Sequence, residues 1–181
     1  NTGSTEGLKA LASGHTDIAW THLLDAETGR YNTPFIAKYL PGAKTVLVHL
    51  FRREIGIVTA PGNPKEIRGF EDLPAGGIRF VNRQAGSGTR LLLDSELGKR
   101  SIPSEGIAGY DREVYTHVEV GLSILSGEAD AGLATVAVSR LMGLHFIPVT
   151  REDFDMALGQ STYFHKGIQA LAGHFHAQGK F

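Results

Sequence analysis

Two stretches of this chain crowd hydroxyl and glycine residues ahead of a helical pattern: Asn1-Thr2-Gly3-Ser4-Thr5-Glu6-Gly7 and Gly86-Ser87-Gly88-Thr89-Arg90. Small residues leave backbone N–H groups open, and a helix that starts there turns its positive end toward whatever sits before it. The chemistry offered is anion capture. Ser87 and Thr89 add neutral hydroxyl donors, and Arg83 and Arg90 add planar charged forks. An ordinary capped helix behind a glycine turn is the alternative for either stretch alone. Together the two change the balance, because a dehydrated tetrahedral dianion needs many directed donors to offset its burial. Thr2, Ser4, Thr5, Ser87 and Thr89 are the donors expected; Arg90, Tyr115 and Thr116 are the residues that could complete the shell.

Catalytic patterns are missing. Gly86-Ser87-Gly88 lacks the spacing of a nucleophile elbow, and Leu91 stands where a dinucleotide fingerprint needs its third glycine. No P-loop sequence occurs. Of the eight histidines, His174 and His176 are closest in sequence, but on a helix they diverge by about 200°. No carboxylate completes a zinc spacing with them, so surface histidines are expected. His22 and His117, each beside a proposed ligand loop, read as satisfied structural histidines, and Asp17 and Asp130 as caps or braces.

Positioning such residues takes short α/β elements. The first stretch leads into a helix through Leu8, Leu11 and Ala12 that stops at Gly14, followed by a strand Asp17–Trp20. A short helix through Phe35, Ile36 and Tyr39 ends at Pro41-Gly42. Thr45–Phe51 and Ile55–Ala60 read as two strands, separated by a polar Arg52-Arg53-Glu54 able to cross between lobes. Ile78–Val81 feeds the second glycine turn, and the helix after it runs from about Thr89 to Lys99. Around Glu113-Val114-Tyr115 lies a short strand, and Thr116 with Glu119 has the spacing of a capping box. Asp130–Leu133 is a strand, Val136–Met142 a helix closed by Gly143, and Phe146–Val149 an edge-like strand because Pro148 cannot donate to a ladder. From Tyr163 to Gln178, Phe164, Ile168, Leu171 and Phe175 share one helical face. One corner repeats: Ser13-Gly14 before Asp17-Ile18-Ala19, and Ser126-Gly127 before Asp130-Ala131-Gly132, as two lobes of similar build would give.

Composition agrees with a globular α/β protein. Its 181 residues suffice for one large domain or two small lobes. A net charge of −1 with scattered Lys and Arg argues against a nucleic-acid surface. No cysteine is present, which removes disulfides and thiolate metal sites but selects no compartment. No apolar run approaches the roughly 20 residues of a membrane span, and Asn1–Thr5 lacks the basic start and apolar core of a signal peptide.

The chain resembles the periplasmic-binding-protein-like domain of the molybdate and tungstate type. The likeness rests, in order, on Asn1–Thr5, Asp17–Ala19 with Thr21-His22-Leu23-Leu24-Asp25, Ala60-Pro61-Gly62-Asn63-Pro64, Asn82–Arg90, Tyr115-Thr116-His117 and Ala129–Gly132. It implies a type II solute-binding fold with two α/β lobes, a central cleft holding the oxyanion, and two crossover strands. Lobe one is then residues 1–52 and 149–181, and lobe two residues 53–148. The function implied is non-catalytic binding of molybdate or tungstate, as sensor or transport receptor, with lobe closure as output and no cofactor beyond the oxyanion. Partners implied are a fused or separate DNA-binding or molybdopterin-biosynthesis domain, or an ABC permease. The location expected is cytoplasmic, with periplasmic as the alternative. Other readings are a molybdopterin-biosynthesis domain handling a phosphate-bearing ligand, and an interaction module without ligand. Three features depart from the pattern. The strand and helix that usually precede the first Ser/Thr loop are missing from this sequence, Glu6 places a carboxylate in the first helical turn, and Trp20 stands where glycine is common, so that it narrows the cleft or stacks against it.

Overall fold

The structure is a computed structural model that describes residues 3–25, 27–74 and 76–178; Thr2 and the side chain of His176 lie outside what is described. Its elements are α1 (Ser4–Ala12), β1 (Ile18–Thr21), α2 (Thr33–Tyr39), β2 (Thr45–Thr59), β3 (Phe80–Arg83), α3 (Gly88–Lys99), β4 (Glu113–Val114), α4 (His117–Leu125), β5 (Ala131–Thr135), α5 (Val136–Met142), β6 (His145–Gly159), α6 (Gln160–Tyr163) and α7 (Lys166–Gln178). Single 3₁₀ turns lie at Phe70–Asp72 and Ser104–Gly106. Two compact units result, Asn1–Arg53 with Glu152–Phe181, and Glu54–Arg151.

Both chain crossings between units fall inside strands. β2 is one strand of 15 residues, where two were expected. Arg52-Arg53-Glu54 does not break it because its charges find partners on β6. In the first unit Arg52 Nε lies 2.7 Å from Asp153 and Arg53 Nη2 lies 2.9 Å from the buried Glu152. In the second, Arg151 pairs with Glu54 at 3.1 Å. β6 likewise outruns the short strand expected around Pro148, because Thr150–Gly159 continues it through the paired Glu152, Asp153 and Asp155. A polar run reads as loop in one dimension and pairs as strand in three.

In the first unit β6 lies between β1 and β2, with Ile18 to Thr21 antiparallel to Leu158 to Asp155. Val48, Leu50, Met156 and Leu158 pack against Ile168, Leu171, Ala172 and Phe175 of α7. The tail is not one helix: the chain turns at Phe164-His165, and Phe164 is exposed instead of joining that face. On α1, Leu8 is fully buried, and a Cβ at Gly7 would sit 3.6 Å from that of Ala19 on β1, so helix and strand meet closely.

The second unit has order β2-β5-β3-β4, with β3 parallel to both neighbours. Its inner strands β3 and β5 are buried on both faces, which alternation makes visible in adjacent residues. Ile57, Phe80, Ala131 and Leu133 join Leu93 and Leu97 of α3 on one side; Val58, Val81 and Ala134 join Val120, Ile124 and Val138 on the other. Each such Leu, Ile or Phe contributes roughly 2 kcal/mol on burial. Gly132 is required for this packing, since a Cβ there would lie 2.6 Å from Val120 and 2.9 Å from the carbonyl of Val81.

Candidate anion-binding site

In the second unit, β3 ends at Arg83 and the chain turns through Gln84-Ala85-Gly86-Ser87. The Ser87 N–H donates to the Gln84 carbonyl at 3.2 Å, and Gly86 takes φ 80°, a conformation glycine adopts without strain. Ser87 is the N-cap of α3, its Oγ accepting from Arg90 N at 3.2 Å. Ser87, Gly88 and Thr89 are all buried. Thr89 is 1% exposed, and its Oγ1 has no hydrogen-bond partner among the described residues. An unmet hydroxyl of that kind costs about 1–3 kcal/mol, so it is an expensive group to keep without a use.

Arg90, counted among the expected contacts, is committed elsewhere. Its Nε lies 3.1 Å from Asp94, its Nη1 donates to Glu113 at 2.9 Å, and its guanidinium lies over the Tyr110 ring at 4.3 Å. Burial opposes its charge, but bonding with Tyr110 and pairing with Asp94 raise its pKa on balance. This fork braces α3 against the Glu113 edge. Arg83, by contrast, is buried at the end of β3 and donates to the carbonyl of Tyr115 at 2.7 Å, which ties β3 to the start of α4. Thr116 caps α4 in the expected capping box: Oγ1 accepts from Glu119 N at 3.1 Å, and Glu119 accepts from Thr116 N at 2.9 Å. Tyr115 is 61% exposed; what it supplies to the unit is its backbone.

In the first unit Gly3 is the N-cap of α1, so the capping residue has no side chain to accept from the opening turn. Ser4 is buried and its Oγ lies 3.0 Å from His22 Nδ1. Thr5 is half-buried beside it. Glu6 points outward and pairs with Lys9 at 2.6 Å, which draws its charge away from the opening. His22 stacks on Phe154 with ring centres 5.2 Å apart. This Ser4–His22 link escaped sequence reasoning, although His22 itself was visible as a loop neighbour.

A buried polar network holds that loop. Asn32 is fully buried at φ 58°; its Oδ1 accepts from Thr21 Oγ1 at 2.9 Å and Leu23 N at 2.8 Å. Its Nδ2 donates to Asp155 Oδ2 at 2.6 Å and to the Asp153 carbonyl at 3.2 Å. Asp155 in turn lies 2.9 Å from His49 Nδ1. Asn32 thereby clamps both ends of Thr21-His22-Leu23 to β6. In sequence it reads only as a turn residue. Asp130 acts as expected of a brace: Arg79 donates to it from Nε and Nη2 at 3.0 Å and from its backbone at 2.8 Å, and these bonds hold its pKa below the usual carboxylate range. Among the described residues no cluster of three His, Cys, Asp or Glu could hold a metal ion, and no helix is long and apolar enough to cross a membrane.

The PBP superfamily domain matches residues 1–175. The uncharacterized protein YvgK of Bacillus subtilis (strain 168) is 36% identical over 156 residues, covering 86% of this chain and 51% of that protein. The chain therefore spans about half the length of the curated relative it matches. A substrate-binding protein of Clostridium perfringens with bound phosphate superposes with a TM-score of 0.64 at 13% identity, over 94% of this chain and 77% of that one. The CcmR regulatory domain of Synechocystis PCC6803 in complex with 2-PG gives 0.66 at 11% identity, over 99% and 81%. At such identities the likeness is one of fold, and the fold is the type II solute-binding one.

Proposed function

The chain belongs to the PBP (periplasmic-binding-protein) superfamily, and from that premise we propose that it binds a small oxyanion without catalysis, with molybdate or tungstate as first candidates, as a sensor or transport receptor. The observation that carries this reading is Thr89: a buried hydroxyl without a partner among the described residues, in the first turn of a helix whose cap, Ser87, is also buried. An anion accepting from Thr89 and from the first N–H groups of α3 relieves that cost while using the helix dipole. The donors we assign in the second unit are Ser87 and Thr89; in the first unit, taken by itself, they are Ser4 and Thr5. Thr116 keeps a lesser role, since its hydroxyl can still donate while it caps α4. Arg90 is set aside as bracing, and Tyr115 as a backbone contact.

The phosphate and 2-PG held by two proteins of this fold support an anionic ligand. The named role of the second as a regulatory domain supports a sensor read by a partner domain. The test is calorimetric titration with molybdate, tungstate, sulfate and phosphate. At least one should bind, and Thr89→Val, which keeps shape and removes the hydroxyl, should weaken it at least tenfold, about 1.4 kcal/mol. Absence of heat with all four anions sinks the reading.

A further inference from the structure

An aromatic face in the first unit has no part in a site for a bare oxyanion. Phe154 of β6 is stacked by Phe51 of β2, with ring centres 4.9 Å apart and planes 6° apart, and by His22 at 5.2 Å and 15°. Trp20 of β1 lies 6.4 Å from the same ring, and the Arg53 guanidinium lies 5.0 Å from its centre. Phe154 is half-buried against the apolar core of this unit, but the two rings flanking it on β1 and β2 are not part of that core. Trp20 is 46% exposed and Phe51 44%, whereas the apolar core of this unit is built from Val48, Leu50, Met156 and Leu158 against α7. Trp20 and Phe51 together leave a half-exposed aromatic face beside that core.

The face is joined to the α1 opening through one side chain. His22 stacks on Phe154 with its ring and meets Ser4 Oγ with its Nδ1 at 3.0 Å. An aromatic surface therefore adjoins the amino end of α1, whose N-cap is the glycine Gly3. Charge and shape select the same guest: an anionic head for the helix end and the Ser4 hydroxyl, and a planar apolar body for the rings. A tetrahedral inorganic anion uses only the first half.

We infer that the ligand is an organic anion, a phosphate or carboxylate carried on a planar apolar group, whose body lies against Trp20 and Phe51. The inference rests on the anion-binding reading above and names the ligand class for it. Stacking on an exposed ring contributes about a tenfold gain in affinity.

Trp20 is the only tryptophan of the chain, so its emission reports on this face alone. The 181-residue protein is titrated with inorganic phosphate, phenyl phosphate, benzoate and molybdate, by calorimetry and by Trp20 fluorescence. Phenyl phosphate should bind at least about tenfold tighter than inorganic phosphate and shift the emission. Trp20→Ala and Phe51→Ala should abolish that preference, Trp20→Phe should retain it by calorimetry, and Leu141→Ala, exposed in the other unit, serves as the control for surface substitution. Thermal melts establish that each variant is folded. If an inorganic anion binds as tightly as its aryl counterpart, or if the preference survives both alanine variants, the aromatic inference falls and anion binding stands. If nothing binds, both fall. A Trp20 response that tracks protein concentration instead of ligand marks a self-association face, and overturns the inference as well.

Discussion

The amino ends of α1 and α3 carry the same residue types and use them differently. At α3 the serine faces its own helix: Ser87 caps the first turn, and Thr89 is left with a buried hydroxyl and no partner among the described residues. At α1 the cap is Gly3, and Ser4 faces away from the helix backbone to a histidine whose ring is part of an aromatic stack. The α3 opening is self-contained, set by a glycine turn within a few residues. The α1 opening depends on a loop that Asn32 pins to β6, more than 100 residues away. One motif can thus be a local device in one place and a tertiary one in another.

The comparison breaks most visibly at Asn32. Asn32→Ala removes four hydrogen bonds, strips the donor from the buried Asp155 carboxylate and keeps an awkward φ of 58°. A loss of about 3 kcal/mol in urea unfolding is expected, together with weakening of any ligand that depends on Ser4. A loss below about 1 kcal/mol would show that the α1 opening stands without its clamp.

A smaller effect separates the two serines. Ser87→Ala should cost about 1 kcal/mol by loss of the cap, and Ser87→Asn, another capping residue, should restore most of it. Ser4→Ala should cost a similar amount through the His22 bond, but Ser4→Asn should not rescue, because position 4 does not cap. Equal rescue at both sites, read by denaturant midpoints, would erase the distinction drawn between them.

The smallest effect concerns pH. Asp130 braces the corner before β5 through Arg79, with a folded pKa below its ordinary value. A carboxyl shifted down stabilises the fold fully above its unfolded value of about 4, and that contribution drains away as pH falls through the lower folded value. Asp130→Asn should therefore lower stability at neutral pH and flatten the acid limb below about pH 4. An unchanged acid limb in pH-dependent melts would mean that the Arg79 pair contributes nothing there.

Much of this was readable along the chain. The turn at Gln84–Ser87, the Thr116–Glu119 capping box, the helix Val136–Met142 with its left-handed Gly143, and the two Ser-Gly stops at Gly14 and Gly127 all come from contacts within a few residues. What misled was polar sequence inside strands: Arg52-Arg53-Glu54 and Thr150–Asp155 look like connections, because the partners that neutralise them are about 100 residues distant. The aromatic face was hidden for the same reason, since Phe51 and Phe154 are unremarkable until β2 and β6 lie side by side.

Except in the tail, which breaks at Phe164-His165, the sequence by itself determined where the helices begin and end and which residues stand at their amino ends, because caps, glycine turns and first-turn hydroxyls act over one turn of chain. Only the tertiary structure decided what those residues do. It set Ser4 against His22, spent Arg90 on Asp94 and Glu113, and left Thr89 unmet. A hydrogen bond is local in space, and nothing in the spacing of residues along the chain fixes which distant group comes within 3 Å.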